Sequence, residues 1–187
     1  MKVRKAVEKD LGTLVRIFDK ARLFMKESGN PAQWIDGYPA PDRIMADIKN
    51  GDCYCVVDDA GHVVGTFAFI VGEDPNYKEI RNGSWLNDRP YATIHRLASD
   101  GTCRGVADTC FRWCLARQEN IRVDTHADNK ILQRILQKYG FRFAVLSVWQ
   151  TVPNDLLFRK KFGVSVVDNP LGRDVVPSKI SSSHFVL

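Results

Sequence analysis

Behind Asp10, apolar residues recur at the spacing of a helix: Leu11, Leu14, Val15, Phe18, Ala21 and Met25 fall three and four apart. One side of that helix is therefore core, with Asp10 opening it and Ser28-Gly29-Asn30-Pro31 ending it. Lys2 to Lys5 precedes it as a short strand, and Pro41-Asp42 begins a second helix through Lys49 that Asn50-Gly51 closes. The pattern then changes period. Cys53 to Val57 and His62 to Ile70 read as two strands joined at Asp58-Asp59-Ala60-Gly61, a hairpin turn. Ala92 to Ala98 is a further, largely β-branched and apolar strand, followed by the turn Ser99-Asp100-Gly101 and by Arg104-Gly105 at the head of another helical pattern. Ile121 to His126 repeats the theme, because Asn129 then caps a helix carrying Ile131, Leu132, Ile135 and Leu136 that stops at Gly140. Ala144 to Gln150 and Leu156 to Phe162, turning at Pro153-Asn154-Asp155, predict a last hairpin.

Two connections stand out against this regular pattern. Gly29 to Pro39 is rich in aromatic and backbone-restricting residues, so Trp34 and Tyr38 either tuck into the body or line a pocket. Residues 72 to 91, with Glu73, Asp74, Tyr77, Glu79, Trp85 and Asp88, form a long insertion without periodicity, and its aromatics argue against disorder.

At 187 residues and 44% hydrophobic, the chain suits one domain, placed at residues 1–162, with a tail at 163–187 that docks or stays loose. Five cysteines form no Cys-x-x-Cys pair, and no secretory leader precedes them. Reduced thiols in a cytoplasmic protein are the expectation, with no metal assigned. Cys110 and Cys114 stand one helical turn apart but have no paired His, which favours core packing over ligation. No apolar run is long enough for a membrane span, so no membrane partner is expected. The net charge of +5 would suit nucleic acid only if the basic residues clustered, and apart from Arg159-Lys160-Lys161 they are dispersed. A nucleic-acid partner is therefore disfavoured. A modest positive field equally suits a small molecule carrying phosphates.

Candidate chemistry gathers on the strand, loop and helix start from Ala92 to Trp113. The first turn of a helix carries unpaired N–H groups and a partial positive charge, so Arg104-Gly105 at that point suits a phosphate. His95 on the central strand, with an ordinary pKa of about 6.5, suits proton acceptance, with a buried structural His as the alternative. Asp124 and His126 lie two apart on one face of their strand, where a carboxylate could orient an imidazole; capping or loop roles compete with that reading.

The succession of strand, helix, strand, Asn-capped helix and Gly140-Phe141 resembles the GNAT superfamily of N-acetyltransferases. That resemblance implies an α/β (α+β) fold, with a mixed, mostly antiparallel central sheet flanked by helices on both faces. It also implies acetyl transfer from acetyl-CoA to a small-molecule or peptide amine by direct attack. A catalytically weak or inactive acyl-CoA-binding module of the same fold is the alternative. The family's diphosphate loop follows the pattern Gln/Arg-x-x-Gly-x-Gly/Ala. Counted from Arg104, Ala107 and Thr109 stand at its two glycines, and Leu136 stands where many members place a Tyr. The resemblance supports His95 as a catalytic residue, since some family enzymes acting on aromatic amines carry a His at the corresponding strand position; Asp124 and His126 join it as candidates only through their place on one strand face. It implies cofactor contacts from Leu97, Ala98, Ser99, Arg104, Gly105, Val106, Ala107, Asp108, Thr109 and Asn129. The segment between the first two helices commonly borders the acceptor in the family, which points to Trp34, Asp36 and Tyr38, with Trp85 from the insertion. The oligomeric state is open, a homodimer being one option.

Overall fold

The computed structural model describes residues 1–77, 85–126, 128–149 and 159–165, with residues 143–149 and 159–165 described by backbone alone. Glu79, the turn at Pro153 to Asp155 and the tail beyond Ser165 lie outside the described residues.

Strands β1 (Lys2–Lys5), β2 (Cys53–Val57), β3 (Val63–Val71), β4 (Ala92–Ser99), β5 (Ile121–His126), β6 (Arg142–Trp149) and β7 (Arg159–Ser165) form one sheet in the order β1-β2-β3-β4-β5-β7-β6. Every neighbouring pair is antiparallel except β4 with β5. That one parallel pair needs a crossover, and helix α3 (Val106–Leu115) supplies it. Helices α1 (Leu11–Glu27) and α2 (Pro41–Lys49) cover one face, where Leu14, Ile17, Phe18, Ile44 and Ile48 pack with Cys53, Cys55 and Ala98. Helices α3 and α4 (Lys130–Lys138) cover the other, where Phe67, Phe69, Ile94, Phe111, Ile121 and Leu136 share a core. The expected mixed, mostly antiparallel sheet with helices on both faces is what the chain builds. Among the described residues no helix is long and apolar enough to cross a membrane. Cys110 and Cys114 are fully buried core residues, and no group of metal-ligating side chains occurs among the described residues.

Three local differences from the sequence reading have physical causes. Asp10 does not cap α1 with its side chain; a short 3-10 turn (Glu8–Asp10) intervenes, and the carboxylate accepts from the Val7 N–H and from both Arg4 terminal nitrogens at 2.7 and 2.9 Å. Strand β6 starts at Arg142, directly after Phe141, because the end of α4 hands the chain straight to the sheet. Strand β7 runs from Arg159 to Ser165 rather than ending at Phe162, since Gly163 is paired on both sides, with Asp124 and with Val145. A strand held between two neighbours overrides the poor strand propensity of one glycine.

Two features of β4 shape the space beside it. Its pairing with β5 stops at Ile94 and Val123, so beyond that point the two strands part and leave a wedge between them. On its other side, Ala98 pairs with Thr66 but His95 pairs with Ala68, so Arg96 and Leu97 share one partner position in a bulge with Arg96 at φ 53°. A bulge re-aims side chains that regular alternation would send to opposite faces. His95, Arg96 and Leu97, consecutive in sequence, consequently all line one cavity.

Candidate active site

Helix α3 begins at Gly105, whose φ of 91° is the left-handed conformation that only glycine adopts without strain. The first intrahelical bond closes from the Thr109 N–H to the Gly105 carbonyl at 2.9 Å, and no side chain caps this end. The amides of Val106, Ala107 and Asp108 are thus first-turn donors without helical partners. They border a cleft of about 260 Å³ lined also by Arg104, Ile131, Arg134, Ile135 and Lys138. Arg104 and Arg134 add positive charge there. Asp108 does not cancel it, because its carboxylate accepts from Lys138 Nζ at 2.9 Å and from the Tyr139 hydroxyl at 2.6 Å. Gly65 allows α3 to sit so close: a Cβ at that position would lie 2.3 Å from Val106 Cγ1.

A second cavity of about 230 Å³, bordered by Leu97, Ala98, Ser99 and Asn129, shares Ile131 with this cleft. Asn129 caps α4 through its Oδ1, which accepts the Leu132 N–H at 3.0 Å, while its Nδ2 donates to Gln33 Oε1 at 2.9 Å. Helix α4 ends as predicted. Gly140 is left-handed at φ 76°, its N–H bonds to the Gln137 carbonyl, and the Phe141 N–H bonds to the Leu136 carbonyl.

The largest cavity, about 670 Å³, opens at the apex of the wedge. His95 sits there between two carboxylates: Nε2 is 2.6 Å from Asp74 Oδ2 and Nδ1 is 3.1 Å from Asp124 Oδ1. Asp124 Oδ1 also accepts from the buried Tyr77 hydroxyl at 2.8 Å, and the Tyr91 hydroxyl accepts from the Asp74 N–H at 2.9 Å. Burial opposes the charge on the imidazole, yet its bonds to Asp124 and Asp74 outweigh that cost and raise its pKa above the ordinary histidine value. Burial and the adjacent Asp124 push the Tyr77 hydroxyl well above the usual phenol range, so it serves as a donor.

The predicted site residues divide accordingly. Asp124 orients His95 rather than His126, because the parting of the strands places its carboxylate against the β4 imidazole. His126 lines the same cavity but turns its Nδ1 to Asp128, accepting that residue's N–H at 3.2 Å. Trp34 and Tyr38 line the cavity, whereas Asp36 and Trp85 do not. Asp36 lies at φ 56° in the loop, and Trp85 packs behind Tyr77 with ring centroids 5.1 Å apart, its other side covered by the Arg122 guanidinium. Thr109 lies outside the cleft, its hydroxyl turned toward Met1 Sδ. Sequence reasoning placed Asp74 and Tyr77 in an insertion without seeing their partners, and it missed Arg96 and Arg43 altogether. The contacts of Asp74 and Tyr77 span 21 and 47 positions of the chain, which no local pattern encodes.

No family model and no curated protein matches the chain, but solved structures do. A GNAT-family acetyltransferase from Streptococcus agalactiae superposes with a TM-score of 0.74 at 28% identity, over 89% of this chain and 96% of that one. The chain's fold is that of the GNAT superfamily. A GNAT-family acetyltransferase from Listeria monocytogenes (TM-score 0.61, 17% identity, 88% and 94% covered) shares the fold. So does an N-acetyltransferase from Staphylococcus aureus (TM-score 0.59, 14% identity, 88% and 96% covered).

The residue whose backbone demands glycine is Gly105, at the left-handed start of α3, and Ala107 two residues on is already helical, which is the spacing of the pattern's Gly-x-Gly/Ala; Thr102 then stands at its Gln/Arg position. Leu136, where a GNAT Tyr was sought, is a core residue at 1% exposure. Tyr139 does not substitute for it, since its hydroxyl donates to the Asp108 carboxylate at 2.6 Å.

Proposed function

We propose that the protein transfers an acetyl group from acetyl-CoA to an amine, with His95 and its two carboxylates taking up the proton the amine must lose. The observation that carries this reading is the buried Asp74–His95–Asp124 arrangement at the apex of the wedge. Acetyl-CoA, when bound, supplies the acetyl group as an activated thioester. The first-turn amides of α3 with Arg104 and Arg134 suit its diphosphate, and the channel past Ser99 and Leu97 suits its pantetheine arm.

An alkylamine with a pKa of about 10.4 is neutral in only about one molecule in a few thousand at pH 7, a handicap of roughly 4 to 5 kcal/mol. A proton acceptor within the cavity offsets part of that cost. Neutral His95 keeps one N–H and lets the Nε2–Asp74 contact take the proton, while Asp124, held by Tyr77, stabilises the imidazolium that results. Asp74 and Asp124, which line the cavity on this side with His95, offer acceptors to an ammonium before it is deprotonated. Read with Gly105 and Ala107 as the pattern's Gly-x-Gly/Ala, the loop lends a binding-only module less support. Release of free thiol from acetyl-CoA in the presence of amines tests the reading, with acetyl-CoA binding measured in parallel. Binding without thiol release from any amine would leave the protein a binding module.

A further inference from the structure

The cavity that holds His95 has a second, positive side. Arg96 is 9% exposed, lines the cavity and is held through Nε by Asp47 Oδ2 at 2.8 Å. The guanidinium is poorly satisfied: Nη1 makes a 3.2 Å bond to the Tyr38 hydroxyl, Nε has its ion contact with Asp47 but no well-aligned hydrogen bond, and Nη2 is buried with no hydrogen-bond partner. An unpaired buried guanidinium nitrogen is costly, and a planar fork of two donors matches a carboxylate. Arg43, half-exposed and also lining the cavity, pairs with the same Asp47 through its Nε at 3.3 Å, so two arginines share one carboxylate. Asp52, the other acid in range, feels Lys5, Arg96 and Arg43 together but makes no close ion pair with either arginine among the described residues. Lys5, Arg96 and Arg43 thus stand against Asp47 and Asp52, three positive charges to two negative. The bulge at Arg96 is what brings this pole beside the acidic one, by turning neighbours His95 and Arg96 to the same space.

Resting on the acetyltransferase reading, we infer that the acceptor is a zwitterion, an amine that also carries a carboxylate. Its ammonium faces Asp74, His95 and Asp124, and its carboxylate takes the Nη edge of Arg96 and the free end of Arg43. Tyr38, on a loop 41% exposed at that residue, yields its long bond to Arg96 when the carboxylate arrives.

The test compares matched pairs on the full chain with acetyl-CoA: β-alanine against ethylamine, γ-aminobutyrate against propylamine, phenylalanine against phenethylamine, lysine against cadaverine. At least one amino acid should exceed its decarboxylated partner by about tenfold or more in kcat/KM. That ratio should fall to within about threefold in Arg43→Gln and in Arg96→Lys. Should Arg96→Lys fail to fold, the half-exposed Arg43 decides alone. Amines used as well as or better than every amino acid, or a preference that survives Arg43→Gln, would overturn the inference. Thermal shift with CoA present separates it from the activity. Amino acids that stabilise the wild type but not Arg43→Gln, without thiol release, would sink the acetyltransferase reading and leave the anionic pole standing; no stabilisation by any amino acid, with no preference in transfer, would sink the pole.

Discussion

The cleft at the start of α3 and the cavity around His95 are neighbours built on opposite principles. The cleft is made of backbone: consecutive amides, one left-handed glycine and a helix whose first turn is uncapped. The cavity is made of side chains that meet from the loop before α2, the segment after β3, the bulge in β4 and the end of β5. A backbone site tolerates changes of side chain and fails when main-chain geometry is forced. A side-chain site fails atom by atom. The two regions should therefore respond to mutation in opposite ways.

Replacing His95 gives the largest separation. On the proposed role of His95, His95→Gln should lower kcat/KM by about 10² to 10⁴ while acetyl-CoA still binds, because the imidazole lines a different cavity from the α3 amides. Equal loss of binding and turnover would dissolve the distinction between the regions. On the other side, Gly65→Ala forces its methyl into Val106 Cγ1 at 2.3 Å, at the start of α3, and toward the Ala98 carbonyl of β4 at 3.0 Å. Denaturant titration should show a loss of about 1 to 3 kcal/mol, with weaker acetyl-CoA binding. Gly105→Ala makes the same point with less damage to the core. Its φ of 91° costs a side chain about 1 to 2 kcal/mol, and isothermal titration should register the strain as reduced affinity for acetyl-CoA. Asn129→Ala removes the α4 cap and the bond to Gln33, for about 1 kcal/mol of stability. Because Asn129 lines the His95 cavity and the smaller cavity beside Ser99 but not the α3 cleft, its effects on binding and on turnover should both be small.

The same contrast explains how much could be read from the sequence. Gly105, Asn129 and Gly140 declared their roles because each is the residue a local backbone turn requires, and the helical spacing behind Asp10 announced α1. The bond from Asp74 to His95 did not, since it depends on how the segment after β3 folds back over β4. Asp124 and His126 looked like a pair because alternation puts them on one face, but the parting of β4 from β5 gave Asp124 a nearer partner. Arg96 was invisible for the opposite reason. Regular alternation would have pointed it away from His95, and only the bulge reverses that.

Whether His95 accepts the amine's proton under the influence of two carboxylates is read most plainly from the pH dependence of kcat/KM. His95 must be neutral to act, and its bonds to Asp124 and Asp74 keep it protonated to a higher pH than an ordinary histidine, so activity should fall as pH drops through a midpoint above 6.5. Asp74→Asn removes one of those charges, and its midpoint should move to lower pH. A wild-type profile without an acidic limb, or a midpoint that Asp74→Asn leaves in place, would be incompatible with that role.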